Sequence, residues 1–285
     1  MSGLAGLVTE PLSPLAAQPA PVVAVVILYA GSLALVGAEV AWLARKPGPA
    51  RRAVLTSAAV AAAMGLGAVF VGFAYAGLLR SLWSRLAEAR WEAAASFWSG
   101  HPAAGALATF VAWDFAGWLY HVVGHRTRIG WAAHQPHHSG TEYDATLGLR
   151  QTWVPFHGLL IHPLLALLGF DLEVALVCAA VSNSWQILEH TSLEVRFPRW
   201  FATVVMTPAA HRHHHGVEGG LVNLGPFLTV WDRLSGTWVA PDAPAPDRYG
   251  LGTPSGVNPL RIELAGWLEL LVPRRAAVVL RAGEE

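Results

Sequence analysis

Charged residues are scarce in this chain. Asp, Glu, Lys and Arg make up 13% of its 285 residues, against roughly a quarter in an ordinary soluble domain. Lysine is almost missing, with Lys46 alone. The deficit argues against a water-soluble domain and for a membrane protein. The formal net charge of zero removes the basic excess expected of a nucleic-acid binder. The single cysteine, Cys178, excludes an internal disulfide and any cysteine-rich zinc site; it reads as a small apolar helix residue. The sequence also shows neither a Gly-rich dinucleotide motif nor a haem-binding domain.

What the chain holds instead is apolar surface. Hydrophobic residues make up 54%, and the mean hydropathy is +0.41. An apolar segment runs from Pro21 to Ala44, interrupted only by Glu39, and a second, Ala53 to Leu79, carries no charge. Either is long enough to cross roughly 30 Å of hydrocarbon at about 1.5 Å per residue. The basic linker between them, RKPGPARR, belongs in the cytoplasm by the positive-inside rule. Residues 80–100 alternate Arg, Glu and Trp, which predicts an amphipathic helix lying at the interface. A third membrane helix is expected from Pro102 to about Tyr120, returning the chain to the cytoplasmic face. Two later stretches, TWVPFHGLLIHPLLALLGF and VALVCAAVSNSWQIL, are expected to dip into the membrane and return as a helical hairpin. The expected fold is all-α: an integral membrane helical bundle of about four to five membrane helices with a cytoplasmic, histidine-rich helical cap. Residues 1–20 are expected to be a flexible tail, lacking the basic start of a secretory signal. Residues 21–100 would form the transmembrane hairpin and interfacial helix, 101–240 the histidine-bearing domain, and 241–285 a linker and a peripheral amphipathic helix.

Thirteen histidines nearly match nineteen Lys plus Arg. Three clusters stand out. HVVGH gives His121 and His125, HQPHH gives His134, His137 and His138, and HRHHH gives His211, His214 and His215 in the same HxxHH spacing. On a helix, positions i and i+4 share a face. The second and third histidines of HxxHH fan over about 100°, too far to share one metal easily, whereas a pair of metals uses both directions. Pro136 qualifies this geometry in the second cluster, since a proline fits the first turn of a helix better than its interior. Eight clustered histidines, with His190 as a ninth candidate, would supply about four ligands to each of two ions. Imidazole suits iron, zinc and copper alike, so ligand type leaves the metal open. One isolated histidine is usually a hydrogen-bonded core or surface residue; three spaced clusters are not. His101, His157, His162 and His213 fall outside the spacing and read as loop, helix or interface residues, His213 as dispensable.

These boxes and their flanks resemble the fatty acid hydroxylase and sterol desaturase superfamily of integral-membrane di-iron enzymes. DFAGWLYHVVGHR is similar to the family's Asp-x3-Tyr-x2-His-Arg-x2-His segment, with Trp118 in place of the Tyr and Val122 in place of the Arg. HQPHHSGTEYDATLGLRQT looks most like the alkylglycerol monooxygenase branch and its bacterial relatives. Thr141 stands where that branch carries a Glu, and Glu142 is next to it. QILEHTSLEVRFP continues the resemblance through His190, and TPAAHRHHHG resembles the third box. NLGPFLTVWDRLSGTW resembles the closing signature through Asn223, Gly225, Trp231, Asp232, Gly236 and Thr237. The match covers roughly residues 105–240, about half of the chain.

The resemblance implies that 101–240 is a fatty acid hydroxylase-like catalytic domain. Two iron ions, replaceable by zinc in purified protein, would be held by His121, His125, His134, His137, His138, His190, His211, His214 and His215. Asp114 and Glu142 would be supporting acids, Asp114 from behind a liganding histidine. O2 and a lipid (sterol, fatty acyl chain or ether lipid) would be the substrates of hydroxylation, desaturation or ether cleavage. Electrons would come from an external donor: a ferredoxin, a cytochrome or a pterin. Asp232 and Arg233 read as structural, and Trp131, Trp185 and Trp231 as interface or core aromatics. The Ala-, Arg- and Gly-rich composition points to a high-GC bacterium, hence to the cytoplasmic membrane with the site facing the cytoplasm. Two alternatives remain: a non-redox membrane metal-binding or transport protein, and a degenerate, zinc-loaded, lipid-binding relative.

Overall fold

The computed structural model describes residues 20–154 and 156–271. The expected tail up to residue 19, and residues 272–285 of the expected C-terminal region, lie outside the described residues. Three helices are long and apolar enough to cross a membrane: α1 (Ala20–Leu43), α2 (Pro49–Ala87) and, after the short α3 (Glu92–Gly100), α4 (Pro102–Arg126). Proline opens both α2 and α4, where its missing N–H costs nothing and its fixed φ suits the first turn.

The interfacial helix expected over 80–100 is split. Its first half is the end of α2, which runs on to Ala87, and only Glu92–Gly100 forms a separate helix. The reason is packing. Leu79 and Trp83, one turn apart, are buried in the cluster made with Trp113, Ile161, Leu165, Phe170 and Ala175, so the apolar stripe of α2 continues past its uncharged stretch.

The chain then forms α5 (Arg128–His134), a 3-10 turn (Ala145–Leu149), α6 (Phe156–Leu167), α7 (Leu172–Glu189), α8 (Arg199–Val204), α9 (Pro208–His214), α10 (Val230–Ser235) and α11 (Pro259–Glu269). The two later apolar stretches are α6 and α7. At 12 residues α6 is about 18 Å long, too short to span. The 18 residues of α7 reach about 27 Å, but polar Ser182, Asn183, Ser184 and Gln186 fill its second half. The described residues thus hold three candidate spans, fewer than the four to five expected. They contain no β-strand, only isolated bridges Val205–Leu228 and Gly216–Tyr249.

Packing brings the helix ends together. α1 lies along α7, α4 contacts α5, α6 and α7, and α2 contacts α6. Glu39, the lone acid of α1, is buried and accepts from Ser192 N (2.8 Å), Ser192 Oγ (2.7 Å) and Thr191 Oγ1 (2.5 Å). It pins α1 to the residues that follow His190. On α2, Trp153 Nε1 donates to Met64 O at 2.9 Å, and a Cβ on Gly67 would lie 2.2 Å from that nitrogen; glycine is required there by close approach. At the other end of the chain, α11 buries Ile262 and Gly266 while Leu260, Leu264 and Leu268 face outward.

Candidate metal centre

Local sequence sets each histidine. His121 and His125 sit in the last turns of α4 on one face, ring centroids 5.3 Å apart. Thr127 ends α4 and caps α5, its Oγ1 accepting from Gly130 N at 3.0 Å. His134 is the last residue of α5. Pro136 follows in a turn. With no N–H at 136 the ladder does not continue, and His137 N and His138 N bond i−3 carbonyls, His134 O (3.0 Å) and Gln135 O (3.1 Å). In α9, capped by Thr207 and opened by Pro208, His211 and His214 are helical and His215 is the C-cap. His190 is the C-cap of α7.

The nine rings fall into two groups. His121, His125, His134, His138 and His214 form one; His137, His190, His211 and His215 form the other, with the ligand atoms in each within 4.8 Å of one another. Each HxxHH box contributes its i, i+4 pair to one group and its middle histidine to the other. The groups share a wall, where the His138 and His215 rings stack at 4.4 Å. In the first, His214 Nε2 is 3.0 Å from His121 Nε2 and 3.1 Å from His138 Nε2, which is 3.1 Å from His134 Nε2. In the second, His190 Nε2 is 3.0 Å from His215 Nε2 and 3.2 Å from those of His137 and His211. With metal–imidazole bonds of about 2.0–2.1 Å, such separations subtend roughly 90–100° at a central ion, ordinary angles between ligands.

Ring protonation gives an independent test of fit. His121 Nδ1 faces Leu224 O (2.8 Å), His214 Nδ1 faces Val222 O (3.1 Å) and His190 Nδ1 faces Gln186 O (2.6 Å). A carbonyl only accepts, so each Nδ1 bears the proton, and in a neutral ring Nε2 then carries a lone pair. The Nε2 atoms of His121 and His214 therefore point lone pair at lone pair across 3.0 Å. Only a cation between them makes that arrangement favourable, and the residues fit a metal. His125 Nε2 is likewise buried without any hydrogen-bond partner.

Burial keeps the rings neutral. His134, His137, His138, His211, His214 and His215 are held well below the ordinary imidazole range, first by desolvation and then by the charge each neighbour would carry. Neutral imidazole is the metal-binding form.

The two candidate acids lie elsewhere. Asp114 is fully buried, but it accepts from Trp231 Nε1 (2.7 Å) and Leu228 N (3.2 Å to Oδ2), not from a histidine. It lies two turns before His121, so its side chain meets the α10 region rather than the cage. Glu142 is exposed. In that extended loop the inward positions go to Tyr143 and Asp144, the latter capping the 3-10 turn through Thr146 N at 2.9 Å. Outside both groups, His101 stacks on Phe97 and His162 packs against Trp113; the side chain of His157 lies outside the described residues. His213 lines a surface cavity of about 300 Å³ with Val217, Glu218 and Arg248. His213→Ala is expected to keep the full metal content and cost about 1 kcal/mol of stability, measured by elemental analysis and thermal melting.

Several supporting residues carried no signal in the histidine spacing. Asp232, fully buried, accepts from Leu224 N (2.9 Å) and Gly225 N (2.7 Å), fixing the carbonyl behind His121. Arg150 reaches from Ser139 Oγ (3.0 Å), beside the second box, to Ser57 Oγ (2.9 Å) on α2. Gly250 N donates to His215 O at 3.0 Å with φ +85°, and a Cβ there would lie 2.3 Å from Gly140 O. Only glycine passes between the second and third boxes. Glu189 is buried immediately before His190.

Residues 106–237, the stretch that carries all nine histidines, match the family model described as fatty acid hydroxylase. They are a fatty acid hydroxylase domain. Relatives of the chain include alkylglycerol monooxygenases from Xenopus tropicalis (29% identical, covering 54% of this chain and 33% of the relative) and Danio rerio (31%, 59% and 36%). Ornithine lipid hydroxylase OlsE from Rhizobium tropici is 28% identical over 48% of this chain and 43% of its own. The chain thus spans about a third of the alkylglycerol monooxygenases it matches. No solved structure matches it. The fatty acid hydroxylase domain begins within α4 and ends just past α10, leaving α1, α2, α3 and α11 as framework outside it.

Proposed function

We propose that this chain is a membrane-bound di-iron oxygenase that uses O2 to oxidise a lipid at a C–H bond, in the cytoplasmic membrane with its site facing the cytoplasm. The observation that carries the reading is the opposed lone pairs of neutral imidazoles in two groups, within a fatty acid hydroxylase domain. For hydroxylation the balance is R–H + O2 + two electrons + two protons giving R–OH + H2O, with the electrons from an external donor such as a ferredoxin, a cytochrome or a pterin. Bound iron would supply the activation of O2 and the cleavage of the C–H bond. The chain's own part is to hold nine nitrogens in place, three of the rings through the carbonyls of Leu224, Val222 and Gln186, and to keep water from the buried cage.

The proposed orientation has its own support. Glu39 near the end of α1 bonds to Thr191 and Ser192, beside His190, and Ser57 near the start of α2 bonds to Thr146. The basic linker of residues 44–48, with the basic start of α2, and the histidine cage are therefore on one side of the bundle, the side the positive-inside rule assigns to the cytoplasm. Lipid oxidation as the reaction is suggested by the alkylglycerol monooxygenase and ornithine lipid hydroxylase relatives.

The test is metal content and turnover on protein purified from iron-supplemented cells. Two irons per chain are expected, with reductant- and O2-dependent conversion of a lipid, read by mass spectrometry as a gain of one oxygen, loss of two hydrogens or ether cleavage. Metal-loaded protein that consumes no O2 with any lipid fraction of its host would overturn the reading in favour of metal binding or transport.

A further inference from the structure

Glu189 is the last residue of α7, and its side chain is 0% exposed. Neither carboxylate oxygen has a well-formed hydrogen bond, the neighbouring Trp185 Nε1 being directed to Met206 O at 2.7 Å, a costly state for a buried acid. Oε2 lies 3.9 Å from His211 Nδ1, which makes no well-formed hydrogen bond although the Asn223 backbone lies near the ring. The carboxylate is not one of the atoms gathered with the four Nε2 donors. It stands behind the His211 ring, on the side away from its Nε2 contacts with His190 and His215 at 3.2 Å each.

Resting on the reading that the nine histidines hold metal, we infer that Glu189 is a positioning residue for the four-histidine group, accepting the Nδ1 proton of His211 and so turning its Nε2 lone pair toward the ion. The 3.9 Å gap exceeds hydrogen-bond reach; a change of rotamer or one bridging water closes it. Rings of the five-histidine group are backed by neutral carbonyls, Leu224 O behind His121 and Val222 O behind His214. A carboxylate behind His211 would make the two groups unequal: the one with fewer imidazoles gains a negative charge that raises ligand basicity.

The test is Glu189→Gln, which keeps the shape and removes the charge, with Glu189→Asp as the charge-restoring variant. Purified proteins loaded with 57Fe are titrated with a chelator and followed by metal analysis and Mössbauer spectroscopy. Glu189→Gln is expected to release one of its two irons at a chelator concentration about 10–100-fold lower than wild type, with one of the two iron signals lost first, and Glu189→Asp to recover part of the difference. Release of both irons at the wild-type concentration would overturn the inference, and so would equal weakening of both. A wild-type protein that takes up no metal would instead overturn the reading on which the inference rests.

Discussion

His137→Ala and His138→Ala are expected to release different ions although the residues are adjacent. His138 Nε2 faces His134 and His214 at 3.1 Å, within the five-histidine group. His137 Nε2 faces His190 at 3.2 Å, within the four-histidine group. Each variant should keep about one metal per chain, His138→Ala retaining the ion beside His190 and His137→Ala the ion beside His121. Lipid oxidation should fall roughly 10³-fold or more in both, since removing one ion forfeits several kcal/mol of stabilisation at about 1.4 kcal/mol per tenfold. The double variant should be little worse than either single one if, as proposed, the two ions act as a unit. Truncating a buried ring also costs about 2–5 kcal/mol in stability, so monodispersity in detergent is checked before metal is counted. Selective chelator release and lipid product analysis read the result. Loss of both ions from each variant would contradict the division into two groups. Full metal and full turnover in either would contradict the assignment of its histidine.

That division was legible in the sequence because it depends only on local geometry. In an HxxHH box the first and third histidines share a helix face and the second points elsewhere, and this holds in α9. It also holds in the second box, where the chain leaves the helix at His134 and Pro136 reshapes the turn. Which middle histidine joins which pair was not legible. It is decided by how α4, α5, α7 and α9 meet, and only the structure shows that His214 goes with His121 and His137 with His190.

The same distinction explains the misplaced acids. Asp114 was read from its costly position in an apolar helix, and the cost is met, but by Trp231 and Leu228 across the fold instead of by a histidine. Glu142 was read from chain position alone, and the loop exposes Thr141 and Glu142 while burying Tyr143 and Asp144. Glu39 stood out as the lone acid of its segment, yet its partners Thr191 and Ser192 lie about 150 residues away and have no local signature. The boundary error in α2 has a similar origin. Charge marked the end of its apolar stretch, whereas burial of Leu79 and Trp83 against other helices carries the helix on.

Asp232→Ala is expected to be the most damaging change outside the histidines, and to act on one metal before the other. The carboxylate is fully buried and accepts from Leu224 N at 2.9 Å, Gly225 N at 2.7 Å and Thr237 Oγ1 at 2.6 Å. Alanine leaves two main-chain N–H groups without an acceptor, at about 1–3 kcal/mol each, in a fold whose total margin is about 5–15 kcal/mol. A fall in melting temperature of about 10 °C follows. The segment released is the one hydrogen-bonded to two rings of the five-histidine group. Leu224 O holds His121 Nδ1 at 2.8 Å, and Val222 O holds His214 Nδ1 at 3.1 Å. Between them Asn223, at φ 51°, ties the segment to Ala210 O (2.7 Å) and Val239 (2.8 and 2.9 Å). Metal should therefore leave the five-histidine group first, while the four-histidine group, backed by Gln186 on α7, keeps its ion. Asp232→Asn, which retains one acceptor oxygen, should fall between alanine and wild type. Thermal melting with metal analysis on the same samples separates the outcomes. Simultaneous loss of both ions at the melting transition would mean that Asp232 serves the fold as a whole. Loss of one ion below that transition would mean that it holds His121 and His214 in place through the loop they share.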